Sequence, residues 1–166
     1  MNDPATPYGT AKGYVQSALL LITNPDRFQA ETDASFYLSF HMLIGFATEL
    51  YLKSYLMHVG YTERELRASG VRHNLKSLLA MADAKGLSDG GAVVLVDLLG
   101  EHHQSFEFRY MKEGSRYPAM NLRRVFEALS SLNKVVDEAV GASASRGKQP
   151  GDGWDFPNDI RQHWRA

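Results

Sequence analysis

The sequence predicts an all-α fold, an antiparallel bundle of about five helices with an irregular C-terminal tail. Three observations carry this reading. Apolar residues recur at spacings of three and four through most of the chain, as one face of a helix requires. No segment shows the strict alternation of a half-buried strand, and Val93 to Val96 is too short to argue for a sheet. The connections between periodic segments are mostly short, as antiparallel neighbours need.

The first helix is expected from Thr10 to Ile22, ending at Asn24-Pro25, because proline disfavours helical geometry in the residue before it. The second and longest runs from Ala34 to Val59, with Gly60 as its C-terminal cap. Phe36, Phe40, Leu43, Ala47 and Leu50 form one apolar stripe on it, and Tyr37, Ile44, Tyr51 and Tyr55 a second. A helix apolar on most sides belongs at the centre of a bundle. The third opens at His73 or Asn74 and carries Leu75, Leu78, Leu79 and Ala82 before Gly86. The fourth starts at Ser88 or Asp89, either a good N-cap, with a core line of Ala92, Leu95, Leu99, His102, Phe106 and Arg109. The fifth follows Pro118, with Leu122, Val125, Phe126, Leu129, Leu132 and Val136 inside and Gly141 at its end.

Residues 1–141 therefore form one helical domain, and 142–166 read as a flexible linker, ASASRGKQPGDG, and an aromatic tail, WDFPNDIRQHWRA. The tail has enough aromatic surface to dock. At 166 residues, 44% hydrophobic and 22% charged, the chain has the composition of a soluble globular domain with a real core. Its formal charge of −1 means that any nucleic-acid role rests on a local patch. The absence of cysteine excludes disulfides, thiolate metal sites and cysteine nucleophiles. The amino-terminal stretch lacks the pattern of a signal peptide, and Glu49 and Lys53 interrupt the most apolar segment, so a cytoplasmic location with no membrane association is expected.

The polar residues that break the apolar pattern are few. Glu49 and Lys53 stand one turn apart on the second helix, either as a solvent-facing pair or on a buried face with Met42, Gly45 and Leu56. Gly45 can admit a neighbouring helix, and a buried carboxylate then needs a cationic or hydrogen-bonding partner. Arg109 and His73 are the candidates, although capping the third helix is the plainer role for His73. Such a cluster can fix helix register without doing chemistry. The adjacent His102 and His103 point to different sides of a helix and do not form the paired face of a zinc-protease motif. No phosphate-binding glycine loop and no nucleophile elbow is present, so no metal and no cofactor is expected.

ATELYLKSYLMHVG on a long helix, RHNLKSLL opening the next, and FRYMKEGSRYP before the last helix together resemble the HEPN superfamily of small prokaryotic helical domains. The resemblance spans Thr10 to Gly141 and rests on Glu49, Lys53, His73, Leu75, Arg109 and Tyr110. It implies a bundle that forms homodimers, a toxin–antitoxin, defence or regulatory setting, a protein partner such as an antitoxin, and RNA or a nucleotide as ligand. Active members are metal-independent ribonucleases whose signature is an arginine, four to six residues, then a histidine, late in the bundle. Here no histidine follows Arg109 at that distance; the one formal match, Arg67 to His73, joins the second and third helices. The expectation is therefore a non-catalytic binding or interaction module. The alternatives are an endoribonuclease with a degenerate site drawn from Arg109, His102, His103 and His73, and a purely structural dimerisation domain.

Overall fold

The computed structural model describes residues 3–110, 119–151 and 154–165. Among these the regular structure is entirely helical: α1 (Ala5–Thr23), α2 (Pro25–Gln29), α3 (Ala34–His58), α4 (Glu63–Leu66), α5 (Leu75–Asp83), α6 (Gly90–Gln104) and α7 (Leu122–Val140), with 3-10 turns at Glu107–Arg109 and Ala144–Arg146. No helix among the described residues is long and apolar enough to cross a membrane.

The local chemistry accounts for the boundaries. α1 begins a turn earlier than the apolar pattern suggests, since Pro4 precedes it and the Asp3 carboxylate accepts the Ala5 amide at 3.0 Å. Asn24, Asn74, Asp89 and Asn121 each cap a following helix by accepting an amide of its first turn. α4, too short to show apolar periodicity, is held by a reciprocal capping box between Thr62 and Glu65. Gly60 follows the end of α3 at φ +103, and Gly141 ends α7 at φ +72, a region where a side chain would be strained. Pro118 itself falls outside the described residues, but the last helix does not open there: residues 119–121 are non-helical and Asn121 caps a helix that starts at Leu122, later than expected.

α3 is the hub, packed against α1, α5, α6 and α7. Ser54 bonds the Pro4 carbonyl at 2.7 Å, Tyr8 meets Tyr51 and Tyr14 meets Phe46, so α1 runs antiparallel to α3. Tyr37, Ile44, Tyr51 and Tyr55 are buried, as are all six inward positions expected on α7. α6 and α7 cross closely at Gly91, where a Cβ would sit 2.5 Å from the Ala128 carbonyl oxygen.

The expected inner line of the fourth helix holds through Ala92, Leu95 and Leu99 and then fails. Within α6 the inward place passes to His103, four residues after Leu99. α6 then ends at Gln104, and Phe106 takes a left-handed conformation at φ +57, so beyond that point helical spacing no longer decides which side chain turns inward. His103 and Phe108 are buried; His102 and Phe106 are half-buried and Arg109 is exposed.

The tail lies on the bundle. Trp164 sits 5.1 to 5.5 Å from the rings of Tyr37, Phe40 and His41, and Phe156 lies 5.0 Å from Phe126. Arg27, fully buried, donates to the Ile22, Arg161 and His163 carbonyls. Asp33 accepts from Arg161 and from the Arg165 amide. The segment after Gly141 is tied to α7 through Asp137, which accepts from the Ser143 amide and hydroxyl, the Gly151 amide and Tyr8. Burial opposes ionisation of Asp137, but those donors outweigh it and hold the carboxyl below its ordinary range.

Candidate functional site

The Glu49 face of α3 is buried. Glu49 is 4% exposed, and Gly45, one turn earlier, lets α6 come close: a Cβ there would stand 2.6 Å from His103 Nδ1. Three side chains converge on the carboxylate. Lys53 Nζ donates to Oε1 at 2.5 Å, while His73 Nδ1 at 3.1 Å and His103 Nε2 at 2.7 Å meet Oε2. Burial favours the neutral acid, yet bonds from His103, Lys53 and His73, with the Lys53 charge, pull the carboxyl down to about 2. An ionised carboxylate only accepts, so both imidazoles donate to it and their tautomers are set.

Lys53 also donates to the Arg72 carbonyl at 2.7 Å, which ties α3 to the loop ahead of α5. That loop turns tightly, with Gly70 at φ +86 and the Ala68 carbonyl accepting the amides of Val71 and Arg72. Its curl brings Arg67, Arg72 and His73 onto one cleft of about 440 Å³, with Gln104 and Phe106 on the far side. Among the described residues no carboxylate side chain lines this cleft, although Arg67 makes an exposed ion pair with Glu63 beside it. A larger cleft between α1, α3 and α4 carries both charge signs, Asp3 and Glu63 against Lys53 and Arg67, and so offers no selective field.

Of the residues singled out from the sequence, Glu49, Lys53, His73 and His103 come together and the others do not. His73 does not cap α5; Asn74 does, accepting the Ser77 amide, and this frees the His73 ring for Glu49. Arg109 is not the inward partner of Glu49. It is exposed, its guanidinium stacked 4.2 Å over the Phe106 ring, because the left-handed turn at Phe106 swings it out. His102 bonds Glu107 at 2.6 Å, on a different side from His103. Tyr110 is 70% exposed. Sequence reasoning missed His103 as the third ligand of Glu49; stepping four residues from Leu99 would have found it. It also set aside Arg67, whose loop placement hid that it shares a cleft with His73.

Chemically, the two histidines differ. His103 is 3% exposed, with Nε2 on Glu49 and Nδ1 against Gly45, so it does not reach the cleft. His73 is a quarter exposed, and Nδ1 is held by Glu49 while Nε2 remains for the cleft it lines. Such a carboxylate–imidazole pair can hold an anion or move a proton. No protein-family model matches the chain, and no curated protein or solved structure does either.

Proposed function

We propose that this chain is a HEPN-like, non-catalytic binding or interaction module that pairs with a second copy, works in a toxin–antitoxin, defence or regulatory setting, and takes RNA or a nucleotide at the Arg67–Arg72–His73 cleft. The observation that carries the reading is that cleft, which two arginines and a histidine line with no carboxylate among the described residues. Guanidinium groups grip phosphate oxygens through paired N–H donors, so the lining suits a phosphate-bearing ligand. Arg109 does not line the cleft, but its guanidinium stacks on the Phe106 ring, which does. The meeting of Glu49, Lys53 and His73, residues on which the HEPN resemblance rests, supports it further. Fluorescence anisotropy with a short single-stranded RNA tests the proposal. Binding is expected to weaken steeply with salt and to fall by roughly tenfold or more when Arg67 and Arg72 are both replaced by Ala. The RNA should remain intact in EDTA. Binding indifferent to the double substitution would remove the reading, and a dimer that binds no RNA would favour a purely structural dimerisation domain.

One observation favours a second reading, a metal-independent endoribonuclease: Arg67 and His73 line the same cleft, with Glu49 fixing the His73 tautomer. His73 Nε2 would take the 2′-hydroxyl proton while an arginine stabilises charge on the phosphate. Cleavage in EDTA that disappears in both His73→Ala and Arg67→Ala, with the melting temperature unchanged, would establish it over the non-catalytic module.

A further inference from the structure

The geometry of the Glu49 cluster points to a second ligand: we infer that Glu49, His73 and His103 bind a first-row divalent transition metal of the zinc class. The three residues come from α3, the loop ahead of α5 and the last turn of α6, and their ligand atoms all lie within 4.8 Å of one another. Two imidazoles and one carboxylate are a donor set that such ions select in sites keeping one position open.

The two contacts to Glu49 are within reach of such a site. Metal–ligand bonds of about 2.0–2.2 Å place neighbouring ligand atoms roughly 3.3 Å apart around a tetrahedral ion. Glu49 Oε2 already stands 3.1 Å from His73 Nδ1 and 2.7 Å from His103 Nε2. The carboxylate has to withdraw from His103 by roughly 0.6 Å, and each ring has to give up the proton it now donates. The open position lies on the His73 side, the more exposed edge of the cluster, where the arginine-lined cleft would admit water or an anion as the remaining ligand.

Lys53 is the group that opposes the ion. Its ammonium holds Oε1, so the metal uses Oε2 alone and sits beside a fixed positive charge. This gives the site a property that a chance pair of surface histidines lacks, because removing the Lys53 charge should tighten binding. The inference does not depend on the RNA reading: the two share His73, but the ion takes Nδ1 with Glu49 and His103, while Nε2 is the nitrogen left for the cleft.

The test is a titration of the full chain, free of any histidine tag, with Co(II) followed by its visible absorption and with Zn(II) by calorimetry. One ion per chain is expected, with the intense visible bands of a low-coordinate nitrogen and oxygen site. His73→Ala and Glu49→Gln should each abolish stoichiometric uptake. Lys53→Gln, which keeps hydrogen-bond donors but not the charge, should raise affinity by about fivefold or more. His73 is partly exposed, so its variant is expected to keep the helical circular dichroism of the parent and decides the case if Glu49→Gln does not fold. No stoichiometric uptake by the parent would overturn the inference. So would uptake that survives His73→Ala, or affinity that Lys53→Gln leaves unchanged or lowers.

Discussion

Replacing Glu49 by Ala should be among the most destabilising single changes in this protein, and the cost can be built from its partners. His103 is 3% exposed and would keep an N–H with no acceptor, at about 1–3 kcal/mol for a buried unsatisfied donor. Lys53 would lose its counter-charge but keep the Arg72 carbonyl, and at 13% side-chain exposure it could only partly rehydrate. His73 is more exposed and can turn to water. The lost side-chain volume adds a small cavity against α6. Together these terms give roughly 3–5 kcal/mol, the usual result of removing one partner from a buried charge cluster. Glu49→Gln, which keeps the volume and one acceptor oxygen, should cost clearly less. Urea denaturation followed by circular dichroism reads both numbers. A Glu49→Ala variant within about 1 kcal/mol of the parent would refute the reasoning, because an exposed ion pair is worth no more than that.

Other outcomes follow from neighbouring contacts. Gly45→Ala should destabilise by about 1–3 kcal/mol through overpacking against His103, read from the same denaturation curves. His41 is buried against Tyr37, Phe108 and Trp164, and burial drives its pKa down to about 4 from 6.5, despite its bond to the Tyr37 carbonyl. Above pH 6.5 both folded and unfolded chains keep this ring neutral; as pH falls towards 4 the unfolded chain takes the proton first. Up to about 3 kcal/mol of stability should therefore be lost across that window, and His41→Phe should remove this part of the slope. Asp33→Ala should leave the buried Arg27 without its ion-pair partner and release the tail, shifting Trp164 emission to the red; unchanged emission would contradict the docking described above.

The bundle was legible because burial on α3 and α7 repeats at helical spacing, and six positions on α7 are enough to fix its inner face. The Glu49 face was legible for a related reason: Gly45 one turn away marks where another helix approaches. What periodicity cannot see is where a helix stops being one. Phe106 turns left-handed without a glycine to announce it, and this turns Arg109 outward, whereas His103, still within α6, follows Leu99 at an ordinary helical step of four. Arg67 and His73 meet through a curled loop, whose path depends on turn bonds rather than on any repeat. The tail's place on α3 depends on Asp33 and Arg27, residues that look like ordinary surface charges until they are buried.

The account turns on where a phosphate-bearing ligand sits. Amide nuclear magnetic resonance of the labelled protein, titrated with a short single-stranded RNA, measures this directly. Saturable shifts should centre on residues 67–74 and on Gln104 to Phe106, with smaller changes at Glu49 and Lys53 behind them. No saturable shift, or shifts confined to the exposed face of α1 or to the tail, would contradict the account.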